Sequence, residues 1–94
     1  MTKHVLIIHK VANYRLWRKV FDQAEQIRKE AGELRYQLLA ADSDSHLIVH
    51  FAEWSSVKAA RTFFESDQLV QIRKAAGVEA PEFHYLNSIE LKEL

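Results

Sequence analysis

The sequence predicts an α+β fold in the order βαββαβ: a four-stranded antiparallel sheet with two helices on one face. Three observations predict it. Four short runs are rich in Val, Ile and aromatic residues, and two longer stretches repeat their apolar residues at intervals of three and four. Residues that favour turns and caps separate these runs.

Strand one is HVLIIHKV (4–11), which ends before Asn13, a good N-cap. From Tyr14 to Ala31 the residues Trp17, Val20, Phe21, Ala24, Ile27 and Ala31 mark one face of a long amphipathic helix, and Gly32 stands at its C-cap. LRYQLLAA (34–41) and HLIVHFAE (46–53) are strands two and three, joined as a hairpin by the polar turn DSDS (42–45). Ser55 or Ser56 caps a second helix carrying Val57, Ala60, Phe63 and Phe64. That helical region breaks near Ser66, and Asp67 restarts a turn with Leu69, Ile72 and Ala76 before Gly77. After Pro81, EFHYLNSIEL (82–91) is strand four, followed by a frayed end. The order matches the split βαβ, ferredoxin-like arrangement, with strand order 4-1-3-2. A helix of ~18 residues spans ~27 Å and an eight-residue strand ~26 Å, so helices and sheet match in length.

With 94 residues and no linker, the chain is expected to be one domain, 1–94. Its 13 basic and 13 acidic residues balance to a net charge of +0, which gives no basis for a nucleic-acid or anionic-membrane partner. There is no cysteine, hence no disulfide, thiolate nucleophile or Cys-type zinc site. The start, MTKHVLIIHK, is too short in its apolar run for a signal or membrane segment, so a soluble, cytoplasmic protein is expected. No phosphate loop, Gly-rich fingerprint or Ser-His-Asp set is visible.

The uncovered side of the sheet carries the first functional expectation. The purely apolar sets, Leu6 and Ile8 in strand one and Leu47, Val49 and Phe51 in strand three, are expected to face the helices. Val5, Ile7, His9, Val11, His46, Ile48, His50 and Ala52 then lie on the open face. With Tyr36, Leu38, Phe83 and Tyr85 toward the helices, the open face gains Arg35, Gln37, Leu39, His84, Leu86 and Ser88. So large an apolar area calls for a cover, and a second copy packed sheet to sheet at ~10 Å is the simplest one.

VLIIHKVANYRLWRKVFD (5–22), GELRYQLL (32–39), HFAEWSSVKAARTFFES (50–66) and IRKAAGVEAPEF (72–83) resemble uncharacterised bacterial members of the antibiotic biosynthesis monooxygenase-like, dimeric α+β barrel proteins. The resemblance covers nearly the whole chain. It implies a homodimeric barrel that binds a small hydrophobic or aromatic molecule, with cofactor-independent monooxygenase or isomerase chemistry. The alternative it leaves open is a non-catalytic, stress-responsive or structural dimer. In the haem-degrading branch an Asn, Trp and His combination lines the cavity. Here Asn13 sits at a helix cap, Trp54 follows strand three and His84 lies on strand four, so that combination is incomplete.

No cofactor and no metal are expected. His46 and His50 are four apart on a strand, which sets their Cα atoms ~13 Å apart, too far to share an ion. His9 with His84 could meet across strands, but the inferred face has no Asp or Glu nearby to complete a set. His9 and His84 are the candidate catalytic residues, as imidazoles that titrate near ~6.5 and accept a proton at neutral pH. Ile7, Tyr14, Arg35, Gln37, Ile48, His50, Trp54 and Leu86 are the candidate pocket or interface residues. Trp17, Phe21, Phe63 and Phe64 are read as core, and IRKEAGELR (27–35) as a solvated helix end.

Overall fold

The computed structural model describes residues 3–75 and 81–94. Its elements are β1 (Lys3–Lys10), α1 (Tyr14–Gln23), α2 (Glu25–Ala31), β2 (Glu33–Ala41), β3 (Asp44–Trp54), α3 (Val57–Phe64), α4 (Asp67–Ala75) and β4 (Glu82–Asn87). The sheet order is β2-β3-β1-β4, antiparallel throughout, so the ferredoxin-like α+β arrangement is present as expected. The end expected for the last helix, Ala76 before Gly77, lies outside the described residues. Among the described residues no helix is long and apolar enough to cross a membrane.

The local signals act as their chemistry requires. The Asn13 side chain accepts from the Leu16 amide at 3.1 Å, and Ser56 Oγ accepts from the Ala59 amide at 3.0 Å, each closing an otherwise open helix start. Ser66 marks the break between α3 and α4, with its hydroxyl donating to the Phe63 carbonyl and accepting from the Leu69 amide. Gly32 ends α2 at φ 130°, a conformation that a side chain resists, and a Cβ there would stand 2.6 Å from Ser55 Oγ.

Two element boundaries differ from expectation. The long first helix is divided at Ala24, whose ψ of 0° ends α1. The Phe21 carbonyl at that point accepts from the Arg28 side chain, a tertiary contact that sequence periodicity does not register. β4 stops at Asn87 instead of Leu91, and the remaining residues run on without regular structure, with Ile89 and Leu91 96% and 97% exposed.

The larger correction concerns the faces of β1 and β3. Val5, Ile7, His9, Val11, Ile48, His50 and Ala52 are buried under the helices, with Trp54 beside them, not on the open face. His46, in contrast, is exposed at the start of β3. The cross-strand register accounts for the reversal: Val5 pairs with Ala52 and Tyr85, Ile7 with His50 and Phe83, and Tyr36 with Ala52. Directly paired residues share a face, so once Tyr36, Phe83 and Tyr85 face the helices, the histidine-bearing sets of β1 and β3 must do so too. Ranking the two faces by apolarity alone misassigns them, because the buried histidines find aromatic and carboxylate neighbours.

The open face is consequently more apolar than expected. Leu6, Ile8, Leu47, Val49 and Phe51 are half-buried there, joined by exposed Leu39 and Leu86. His4 stacks on Phe51 at 4.9 Å, and the Arg35–Glu53 ion pair lies at the margin. Ile48, in the core with Val11, Trp17 and Phe21, is a folding position and not an interface one. Ile48→Glu buries an unpaired carboxylate there. It is expected to lose several kcal/mol of stability, read as loss of a cooperative thermal transition by circular dichroism.

Candidate functional site

The site begins with a bulge. Glu33 pairs with Trp54 and Arg35 with Glu53, leaving Leu34 as an extra residue in β2. One extra residue shifts the alternation of side chains by one, so Glu33 and Tyr36 both point beneath the sheet while Leu34 and Arg35 point away. Glu33 is thereby delivered, 7% exposed, into the layer between sheet and helices.

There its carboxylate is held from two sides. Oε1 accepts from Arg28 Nε at 2.9 Å, and Oε2 lies 2.9 Å from His50 Nε2. Arg28 is itself fixed: Nη1 donates to the Phe21 carbonyl at 2.5 Å, and its guanidinium lies 3.7 Å from the centre of the Phe21 ring. The His50 ring meets the faces or edges of Phe21 and Tyr36 nearly at right angles, at 5.0 and 5.6 Å. Arg28 and His50 are only 3% and 2% exposed. A charged pair this deep persists because each ion satisfies the other; removing one partner of such a pair costs roughly 3–5 kcal/mol.

His9 occupies the neighbouring position on β1, one step diagonally from His50, since Ile7 pairs with His50 and His9 with Ile48. It is 7% exposed and lies 5.4 Å from Trp17. Neither ring nitrogen has a hydrogen-bond partner among the described residues. Burial, reinforced by the proximity of His50 and Arg73, which disfavours a second positive charge, pushes its pKa down from 6.5 to about 4, so it is neutral at physiological pH.

These groups line a cavity of about 60 Å³ between the sheet and the helices, walled by Ile7, Trp17, Phe64, Leu69 and Phe83 among others. The lining is apolar apart from His9, His50, Arg28 and Arg73. Arg28 Nη2 is a buried donor without a partner among the described residues, and Arg73 Nη1 donates to the Phe64 carbonyl at 2.9 Å. Such a chamber suits a ligand that is mostly hydrocarbon with one oxygen to be met by imidazole and guanidinium. Among the described residues no three His, Asp or Glu side chains are grouped to hold a metal ion.

Of the residues singled out from sequence, the structure brings Ile7, His9 and His50 together at this cavity. His84 is not with them. It pairs across from Leu6 on the open face and lies 3.5 Å from Glu82, so His9 and His84, though both candidate catalytic residues, lie on opposite faces of the sheet and do not meet across strands. Arg35, Gln37 and Leu86 share that open face. Ile48 and Trp54 are core, the latter packed on Phe63 and Phe64, and Tyr14 is exposed at the start of α1, where its hydroxyl accepts from Arg18. Arg28, Glu33 and Arg73 were not anticipated as site residues. The run IRKEAGELR, read as solvated, supplies two of them, and the only sequence signal was Gly32, which turns the chain so that residues 28 and 33 can meet.

A histidine held neutral by the fold destabilises it once the unfolded chain can take up a proton. The folded pKa of His9 lies below the unfolded value, so its contribution is constant above about pH 6.5, is lost progressively as pH falls, and levels off below about pH 4. The full loss is about 3 kcal/mol. In His9→Gln the fall in unfolding free energy between these limits is expected to shrink by about that amount relative to the unsubstituted protein, measured by urea denaturation across the range.

The profile of the antibiotic biosynthesis monooxygenase family matches residues 14–75. No curated protein matches the chain. Among solved structures, SnoaB, a cofactor-independent oxygenase from Streptomyces nogalater, superposes with a TM-score of 0.78 at 15% identity, covering 96% of this chain and 95% of its own. The monooxygenase from the gene ActVA-Orf6 of Streptomyces coelicolor, solved with the ligand nanaomycin D, gives 0.69 at 21% identity, covering 99% and 92%. These likenesses are to the fold, while the profile spans well over half of the sequence from α1 through α4; the chain belongs to the antibiotic biosynthesis monooxygenase family.

Proposed function

We propose that the cavity beside His9 takes a small phenolic aromatic molecule and that the protein oxygenates it without a cofactor. The observation that carries this reading is His9 itself, a buried neutral imidazole facing an apolar cavity, with neither nitrogen partnered among the described residues. An imidazole so placed offers one donor and one acceptor to a ligand oxygen. Support also comes from SnoaB, a cofactor-independent oxygenase of the same fold, and from the ligand carried by the ActVA-Orf6 monooxygenase.

The reaction balances as a phenol with a free para position plus dioxygen, giving a quinone and water. Loss of the phenolic proton makes the ring electron-rich, dioxygen forms a bond to the para carbon, and cleavage of the O–O bond with loss of the carbon-bound hydrogen releases water. Arg73 and Arg28, on the cavity wall, place positive charge where the phenolate develops. His9 orients the oxygen and does not keep the proton: with a pKa of about 4, against ~10 for a phenol, holding it would cost about 8 kcal/mol. A bicyclic substrate is larger than 60 Å³, so the cavity must widen on binding, and α4 is the wall best able to yield because Leu69 is its one buried residue.

We infer also that the protein is a homodimer through the open face of the sheet. Four strands of about eight residues present roughly 500 Å², less than the ~800 Å² per partner of a stable interface. The exposed Ile89, Leu91 and Leu94 of the C-terminal segment supply further apolar area to meet it. His84 and Arg35 become interface polar groups in this arrangement. The small cavity volume favours one second reading, a dimer without catalysis.

Val49→Glu, on the open face, is expected to give a folded monomer; a dimer in its native mass spectrum would show that another surface joins the subunits. For the reaction, 1-naphthol in aerated buffer is expected to yield 1,4-naphthoquinone with matching oxygen uptake, at a rate at least 10-fold lower in His9→Leu, a polar-contact loss worth about 1.4 kcal/mol or more. Product formation no faster than in buffer, with no naphthol retained in the native mass spectrum, would leave the non-catalytic dimer.

A further inference from the structure

We propose that Glu33 and His50 act as a carboxylate–imidazole dyad, with Glu33 the positioning residue and Nδ1 of His50 the base that removes the phenolic proton. This rests on the oxygenase reading of the cavity.

The assignment follows from what each atom can do. A carboxylate only accepts hydrogen bonds, so the 2.9 Å contact between Glu33 Oε2 and His50 Nε2 puts the ring hydrogen on Nε2 and leaves the lone pair on Nδ1. Nδ1 makes no hydrogen bond to a described residue, and the His50 ring lines the same cavity as His9. The carboxylate cannot turn away, because its other oxygen is tied to Arg28, which is tied in turn to the Phe21 carbonyl. The ring is likewise confined between Phe21 and Tyr36. When Nδ1 takes a proton, the positive charge that forms sits directly against Glu33.

His9 lacks that support. The groups facing it among the described residues are His50 and Arg73, both of which oppose a positive charge, and no carboxylate among those residues is bonded to it. The two buried histidines therefore divide the work: His9 holds the substrate oxygen, and His50 takes its proton. That proton protonates the peroxide formed at the para carbon and leaves with the water, returning His50 to its neutral form within each turnover. Arg28 opposes charge on His50 as well, but Glu33 stands between them and is bonded to both.

The first test needs no variant. With histidine labelled at its ring nitrogens, ¹⁵N NMR at neutral pH is expected to show His50 protonated at Nε2 and bare at Nδ1, and added 1-naphthol is expected to move the Nδ1 signal. A His50 with its hydrogen on Nδ1 overturns the dyad. In turnover of 1-naphthol, His50→Gln is expected to lower kcat by roughly 10²–10⁴-fold, with KM changed no more than about threefold. Glu33→Gln strands the Arg28 cation, so the paired variant Arg28→Gln/Glu33→Gln accompanies it. In that protein, folded by circular dichroism, the His50 ring is expected to populate both tautomers and kcat to fall at least ~10-fold. Turnover that survives His50→Gln unchanged overturns the dyad alone; bound naphthol that is never turned over by the unsubstituted protein overturns the dyad's role as base together with the oxygenase reading.

Discussion

The carboxylate of Glu33 needs hydrogen bonds in a place that water does not reach, and much of the molecule is arranged around that need. Arg28 meets one oxygen and His50 the other. To reach Glu33, Arg28 captures the Phe21 carbonyl and divides what would otherwise be one helix into α1 and α2. Phe21 then serves three neighbours at once, stacking with Trp17, lying under the Arg28 guanidinium and meeting the edge of His50. Well-packed apolar residues in place of a buried ion pair are often as stable or more so, by about 1–4 kcal/mol. Stability alone therefore does not account for a carboxylate here, and what this one does in the structure is hold the His50 imidazole in place.

Two histidines on adjacent strands, facing the same cavity, are given opposite surroundings. His50 is backed by a carboxylate and His9 by aromatic and cationic groups. Environments that separate like groups in this way allow one residue type to serve as both proton acceptor and hydrogen-bond partner at a single pH. The cavity concentrates this polarity into few atoms, with hydrocarbon elsewhere, an arrangement that favours one orientation of any guest with a single polar end.

The order of elements, the caps at Asn13 and Ser56, the turn at Gly32 and the inward direction of Tyr36, Phe83 and Tyr85 were legible because each depends on a few neighbouring residues. The faces of β1 and β3 were not. Leu47, Val49 and Phe51 look more like core than Ile48, His50 and Ala52, and only the pairing of Tyr36 with Ala52 and of Phe83 with Ile7 decides between them. Of the site, His9 and His50 were visible as unusual residues in apolar strands. Glu33 and Arg28 were not, since a charged run after a helix normally lies in water, and their burial depends on a strand irregularity that leaves no mark in composition.

That irregularity has a consequence for comparing relatives. Leu34 is 59% exposed and pairs with nothing across the sheet, so its identity is nearly free while its presence is not. Lose one residue from the start of β2, and every later side chain keeps its partner while Glu33 alone swings out to solvent, taking the anchor of His50 with it. For solved structures that share 14% to 24% of their residues with this chain, a one-residue gap after the second helix would on this geometry mark the loss of the buried carboxylate, where a substitution at Leu34 would leave it in place.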